Sequence, residues 1–471
     1  MAPQPAGGTM REIDVAGVIE RQKLNMFVVR LVILSWIITV FDGFDMLAIS
    51  FVAPYLQSDF ALDKVKLGEV FSLGLAGTMV GGFLFGYLGD RLGRRPAIIL
   101  STFSFGILTV ALALARSIDQ LLLLRFLNGV ALGGMLPLCW ALNIEFVPRA
   151  YRSTVVTLIM LGYTAGGAIA GPITVAIAPH FGWQGVFVFG GLASLVAGGV
   201  LIFALPESVR YLTARQRRPQ TIARTVNRLE PGLDASDSEH FYLSDEAGVR
   251  PRFNMRVLFE GRLAIITPLL WMAYIASSLA IFFMSSWGPL VFEAIGFTRT
   301  EAAFAASVNS MGSAIGGLVL MRFTDRFGPI AIAVLPAIGV PLLLLAGLGD
   351  LSRSAFLVTA FLAMMMLGGT HFGMHSIAGI FYPSAFRANG TGWATSVAKF
   401  GSVAGPLIGG YILSSQLPVR ATFALLAVCP LATAICVGLL GLAHRRRPAE
   451  DEGAALADTS ADTVQAAPAK A

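Results

Sequence analysis

Among the ionisable side chains inside the long apolar runs of this 471-residue chain, five stand out: Asp42, Asp45, Arg125, Glu145 and Lys399. On insertion scales an ionisable group at the centre of a bilayer costs at least about 2.5–3.5 kcal/mol, so such groups call for a functional reading first. Asp42 and Asp45 are three residues apart and share a helix face. Two carboxylates so close cannot both ionise cheaply in a low dielectric, which suits one of them to carrying a proton. The alternative is a salt bridge or a capping role beside a kink at Gly43. Arg125 and Asp45 fall at comparable depths, about 9 and 13 Å from the same membrane face at 1.5 Å per residue. A pair that forms when Asp45 is ionised and breaks when it is protonated would be a switch; a permanent bridge is the other reading. Lys399 falls near the midplane, where an ammonium would attract a substrate carboxylate or be satisfied by Asp42 or backbone carbonyls. Glu145 lies near the inner end of its run, with Arg149 and Arg152 just beyond. It suits either proton coupling or an interfacial salt bridge.

Other polar and aromatic residues could complete a site. His371 and His375 are spaced i, i+4, but no carboxylate or cysteine lies near them in sequence, so no metal site is expected. Hydrogen bonding to a substrate, or packing, is their reading. Phe44 and Trp393 could stack on a ring, as could Trp36, Trp140, Tyr163 and Tyr274.

The elements that must position these groups are helices in lipid. Hydrophobic residues make up 55% of the chain and charged ones 13%, about half the share usual in a soluble domain. Runs of the length needed to cross a bilayer fall at 27–55, 67–89, 97–115, 120–145, 153–177, 184–205, 263–292, 302–322, 330–349, 354–382, 389–414 and 421–443. The fold class expected is an all-α integral membrane protein of twelve transmembrane helices. Its parts are a cytoplasmic segment 1–26, a six-helix half 27–205, a polar central loop 206–262, a second half 263–443 and a disordered tail 444–471. With the N-terminus inside, 26 of the 34 basic residues fall on cytoplasmic segments and six outside, which places both termini in the cytoplasm. The formal charge of +6 is thereby topology, and no nucleic-acid partner is expected. Cys139, Cys429 and Cys436 lie in apolar runs without ligand-like spacing, so neither disulfides nor metal nor any other cofactor is implied.

The two halves repeat at an offset of 235. Gly77, Gly81 and Gly82 map to Gly312, Gly316 and Gly317, and Asp90-Arg91-x-Gly93 maps to Asp325-Arg326-x-Gly328. Phe146, Pro148 and Arg152 map to Phe381, Pro383 and Arg387. Such a parallel, pseudo-symmetric repeat about an axis normal to the membrane is the architecture of transporters whose halves rock about a central site. The five intramembrane charges have no charged counterparts at that offset, which assigns them to chemistry rather than to the shared frame.

These motifs carry a family resemblance over about residues 25–445. The run Gly86-Tyr87-Leu88-Gly89-Asp90-Arg91-Leu92-Gly93-Arg94-Arg95 resembles the loop 2–3 signature of the major facilitator superfamily, and Arg125-Phe126-Leu127-Asn128-Gly129 its fourth-helix motif. Asp42-Gly43-Phe44-Asp45 resembles the signature of the aromatic acid/proton symporter family, the 4-hydroxybenzoate and benzoate type. Tyr382-Pro383, Arg387 and Gly390-x-Gly392-Trp393 also resemble that family. The resemblance implies a secondary transporter, not an enzyme, importing a benzoate-like acid with protons by alternating access. It implies an inner-membrane protein whose partners are the bilayer, protons and a small aromatic acid, and a monomer is expected. Asp42, Asp45 and Glu145 are then the proton-coupling candidates, and Lys399, Arg125, His371, His375, Phe44 and Trp393 the substrate candidates. Gly86, Asp90, Arg91, Gly93, Arg94 and Arg387 make a cytoplasmic gate. The family often has arginine near position 399, and lysine there gives a point charge instead of a bidentate fork. Transport of another organic anion, drug export and a transport-like chemosensor are the competing functions. A zinc-protease helix, a nucleophile elbow and a phosphate loop are all missing, against an intramembrane enzyme.

Overall fold

In lipid every backbone N–H and C=O must be satisfied within its own segment, so apolar runs of this length become helices. The computed structural model describes residues 11–246, 254–327, 330–382, 387–415 and 417–445, with backbone alone at 246, 321–327, 330–331, 375–380, 387–388 and 443–445. All twelve expected runs are helical. The first half holds α2 (Met26–Asp59), α3 (Lys64–Leu92), α4 (Arg94–Leu112), α5 (Ile118–Leu132), α6 (Met135–Ile144) and α7 (Arg149–Ala204). The second holds α10 (Leu263–Ala294), α11 (Arg299–Phe327), α12 (Ile330–Leu348), α13 (Arg353–Phe381), α14 (Arg387–Ser414), α15 (Ala421–Leu426) and α16 (Val428–Arg445). Short apolar helices α1 (Val15–Arg21), α8 (Val209–Ala214) and α9 (Pro219–Leu229) lie outside the bundle.

Two spans differ in form from the expectation. The fourth is broken at Gly133–Gly134 into α5 and α6. The fifth and sixth are joined without a loop: α7 turns at Gly182, whose φ of +66° is open to a glycine at little cost.

The 235-residue repeat is realised in backbone contacts. Gly81 lies against the Val130 carbonyl as Gly316 lies against that of Met365, and Gly166 against the Val40 carbonyl as Gly401 against that of Ile275. Each residue of the second pair of contacts stands 235 after its counterpart. Small residues allow this approach, which is how helices associate where lipid removes the hydrophobic drive between them. The tightest case is Gly43, where an added Cβ would overlap the Tyr163 carbonyl.

The described residues of the polar segment 206–262 and of the N-terminal segment pack together. Strand β1 (Glu12–Asp14) pairs in parallel with β2 (His240–Tyr242). Val15, Val18 and Ile19 of α1 are buried in one cluster with Val209, Leu212, Ile222 and Val226. This basal module is bound to the first half. Glu20 pairs with Arg149 and Arg152, the Tyr211 hydroxyl donates to the Arg91 carbonyl at 2.8 Å, and Gln22 Nε2 donates to the Phe146 carbonyl at 2.6 Å. The amphipathic pattern responsible is plain in α9, Pro-Gln-Thr-Ile-Ala-Arg-Thr-Val-Asn-Arg-Leu, where Ile222, Val226 and Leu229 share one face.

The face carrying this module is called basal here, the opposite face distal. At the distal side the halves share one core: Phe51, Phe71 and Trp183 cluster with Phe283, Trp287 and Phe292. Trp287 meets Phe71 edge-on at 5.2 Å, and its indole N–H donates to the Pro406 carbonyl at 2.9 Å. The Ser72 hydroxyl donates to the Val403 carbonyl at 2.8 Å, and the Arg299 guanidinium sits 4.6 Å over the Tyr55 ring. At the basal side the halves keep separate cores. Among the described residues no hydrogen bond or ion pair bridges them there. Among the described residues the halves are thus joined distally and share no core, hydrogen bond or ion pair basally.

Gly43→Ala is expected to destabilise the protein by about 1–3 kcal/mol, because α2 and α7 must separate to admit the methyl group. Gly438→Ala, where nothing lies within 4 Å of an added Cβ, should leave the melting temperature unchanged or raise it. Melting curves of the two variants in detergent check both, and equal curves would remove the claim that this approach is close.

Candidate functional site

The close passage of α2 along α7 at Gly43 places Asp42 and Asp45 in the interior of the first half, 4% and 1% exposed. Asp45 is met by two other elements. Thr109 Oγ1 on α4 donates to its Oδ1 at 2.6 Å, and Arg125 Nη1 on α5 stands 3.5 Å from its Oδ2. Asn128 Nδ2 donates to Thr109 Oγ1 at 2.8 Å, and Arg125 donates both to Asn128 Oδ1 at 3.2 Å and to the Met46 carbonyl at 3.1 Å. The expected Asp45–Arg125 pair is therefore present, inside a closed polar ring of four side chains from three helices. At 3.5 Å it is a charge pair rather than a tight hydrogen bond, and Asp45 Oδ2 and Arg125 Nε make no hydrogen bond.

Asp42 stands outside this ring. Among the described residues its carboxylate receives no hydrogen bond, yet it interacts electrostatically with Asp45 and with Lys399 of the other half. Tyr163 on α7 and Cys139 on α6 are near enough to feel its charge. Lys399 is half-buried, and its ammonium has no ion-pair or hydrogen-bond partner among the described residues. It lies one helical turn basal of Val403, whose carbonyl takes the Ser72 hydroxyl of α3. The same face of α14 thus touches the first half at 403 and, a turn lower where the halves begin to part, presents a cation.

The remaining candidates divide. His371 on α13 is half-buried, with its Nδ1 3.4 Å from the Ser277 hydroxyl on α10 and its ring edge-on to Phe282 at 6.2 Å. Phe282 packs in turn against the first half's core, so this group also faces the seam between the halves. Phe44 does not: it is 3% exposed and packs against Phe189 and Gly190 within its own half. Trp393 is exposed near the basal end of α14 and stacks on Trp271 at 6.5 Å. The side chains of His375 and Arg387 lie outside the described residues, as do those of Asp325 and Arg326.

Glu145 belongs to another layer. It pairs with Arg94 at 3.2 Å, and Arg94 also holds Asp90 at 2.5 Å. Arg149 and Arg152, its neighbours in sequence, turn to Glu20 instead. Arg91 Nη1 donates to the Tyr87 hydroxyl, and Gly93, with φ +109°, makes the α3–α4 turn against the Glu207 carboxylate. Gly86 has open space beside it. All contacts of Asp90, Arg91 and Arg94 among the described residues stay within the first half and the basal module, which agrees with halves that are parted here.

Three functional neighbours escaped the sequence reading. Asn128 stands i+3 from Arg125, a spacing that signals a shared face. Ser277 stands 235 after Asp42, so the repeat itself marks it. Thr109 carries no signal of its own.

A family model described as Major Facilitator Superfamily matches residues 35–349 and 270–467. The chain is 32% identical to the 4-hydroxybenzoate transporter PcaK of Pseudomonas aeruginosa over 418 residues, 87% of this chain and 91% of the relative. It is 32% identical to the gallate transporter of Pseudomonas putida, over 92% and 96% of the two chains. It is 28% identical to the benzoate transport protein of Acinetobacter baylyi, over 89% and 90%. Among solved structures, the xylose transporter XylE of E. coli in a partially occluded inward open conformation has a TM-score of 0.68 at 16% identity, covering 87% of this chain and 97% of that one. At that identity the likeness concerns the fold.

Removing one member of a buried ion pair strands its partner at about 3–5 kcal/mol. Arg125→Gln is therefore expected to lower the melting temperature sharply, and adding Asp45→Asn should restore most of the loss. Melting curves of the two single variants and the double variant measure that coupling. An Arg125→Gln protein as stable as its parent would show that the pair carries no such weight.

Proposed function

Because the chain belongs to the major facilitator superfamily of membrane transporters, we propose that it imports an aromatic carboxylate of the benzoate or hydroxybenzoate type together with protons. The observation that carries this reading is the Lys399 ammonium. It is half-buried, without a hydrogen-bonded partner among the described residues and within electrostatic reach of Asp42. A cation so placed attracts an organic anion, and a substrate carboxylate would replace the water that it must otherwise keep. The relatives named for 4-hydroxybenzoate, gallate and benzoate supply the class of anion.

In this reading the basal face is cytoplasmic, as the basic residues of the central segment and both ends of the chain favour. The described conformation is then the inward-facing one. Asp45 carries the coupled proton. Ionised, it holds Arg125; protonated, it releases that attraction and loosens α2 from α5. Asp42, across from Lys399, competes with the substrate carboxylate for the ammonium, so its protonation and substrate binding favour one another. Gly86, Asp90, Arg91, Gly93, Arg94 and Arg387 form the basal gate when the halves rock together. Glu145, first placed with the proton carriers, is read here as the anchor of Arg94 in that gate.

Vesicles containing the purified protein should accumulate radiolabelled benzoate or 4-hydroxybenzoate under an inward pH gradient and lose that accumulation on addition of a protonophore. Asp45→Asn should keep substrate exchange at equal pH, which needs no net proton movement, and lose accumulation. Accumulation that survives the protonophore and follows sodium would remove proton coupling, and uptake of aliphatic acids alone would change the substrate class.

Lys399→Gln should weaken binding of the acid by about 2 kcal/mol or more, roughly 30-fold, since a bond to a buried charge exceeds a neutral one. Lys399→Arg should keep part of the affinity. Equilibrium binding to the detergent-solubilised variants measures it, and an unchanged Gln variant would assign the anion to another donor.

A further inference from the structure

We propose that Ser277 and His371 form a hydrogen-bonding pair that reads a hydroxyl on the aromatic ring, so that this transporter selects hydroxylated over unsubstituted aromatic acids. The inference rests on the substrate class proposed above and adds what the second half of the bundle contributes to it.

The repeat supplies the placement. Ser277 stands 235 residues after Asp42, and the backbone contacts that fix the two helices are counterparts. Gly166 lies against the Val40 carbonyl, two residues before Asp42, and Gly401 lies against the Ile275 carbonyl, two residues before Ser277. By the pseudo-two-fold relation Ser277 therefore occupies on α10 the position that Asp42 occupies on α2. Both are nearly buried, 5% and 4% exposed. What differs is the chemistry. The first half puts a carboxylate at this position. The second half puts a hydroxyl there, 3.4 Å from the imidazole Nδ1 of His371.

The surroundings aim this pair at the seam. Phe282, one turn further along α10, meets the His371 ring edge-on and packs against the core of the opposite half. The seam is thus lined by Lys399 on α14, by Ser277 and Phe282 on α10, and by His371 on α13. It offers a cation for a carboxylate, an aromatic edge for a ring, and two groups that each donate or accept a hydrogen bond. A ligand with a carboxylate at one end and a hydroxyl at the other satisfies the set. An unsubstituted ring displaces water from the Ser277 hydroxyl and returns no hydrogen bond to it, which is the usual source of discrimination against an analogue lacking one hydroxyl.

Equilibrium binding of benzoate and 4-hydroxybenzoate to the purified full-length protein tests this, with the ratio of the two affinities as the readout. The unmodified protein should favour 4-hydroxybenzoate by about tenfold, the worth of one good hydrogen bond. Ser277→Ala and His371→Phe should bring the ratio close to one, whereas Ser277→Thr and His371→Gln, which keep a hydrogen-bonding group, should retain part of it. A merely structural role would weaken both acids together and leave the ratio in place, and that result overturns the inference. So does an unmodified protein that binds the two acids equally. A protein that binds neither acid overturns the proposed substrate class, and this inference with it.

Discussion

The cost of holding charge away from water organises this molecule. Asp45 and Arg125 are both about as buried as a side chain can be, and each is tolerable only because the other is there. Their pairing obliges α2, α4 and α5 to meet at one point, where Thr109 donates to Asp45 and Asn128 accepts from Arg125. The glycine at 43 serves the same end from the other side. By letting α2 touch α7, it seals the carboxylates into the half without the gap that a side chain would impose. Helix packing and charge burial are thus one problem with one solution here.

The two halves show what is common and what is particular. Their backbones meet through equivalent glycines, so the frame is duplicated. The side chains on that frame are not. Asp42 has Ser277 as its counterpart and Asp45 has Ala280. Among the described residues the buried carboxylates Asp42 and Asp45 lie in the first half, while the second contributes Lys399 and the Ser277–His371 contact. In the conformation described, the distal closure is made of aromatic contacts and backbone-directed hydrogen bonds, with one cation over a ring and no ion pair among the described residues. Such contacts can part without stranding a charge in lipid, which suits a joint that must move.

The basal module has a different character. Its apolar face continues the first half's core, and among the described residues the charge pairs and main-chain hydrogen bonds at its rim reach that half only. The basal parting of the halves is compatible with this one-sided attachment.

Composition and run length alone determined that the chain is a membrane bundle, because no arrangement of 55% hydrophobic residues with so few charges satisfies water. Motif spacing determined the repeat and the family, and the rarity of charge in apolar runs singled out Asp42, Asp45, Arg125 and Lys399. Depth counting even brought Asp45 to the level of Arg125, since helical rise is fixed. Partners across helices were another matter. Glu145 could be read as one end of a salt bridge, but its partner is Arg94 from another helix and not Arg149 or Arg152, its neighbours in sequence. Phe44 lies in the motif that draws attention to it, yet its rotation about α2 turns it toward Phe189. Helix rotation and register between segments far apart in sequence arise from packing over the whole bundle, and no local pattern encodes them. The N-terminal segment is the same case: ten residues too polar to predict a core find one, because the central segment folds an amphipathic helix beside them. Only the tertiary structure could decide which side of each helix looks inward, and with it which of the candidate residues share a site.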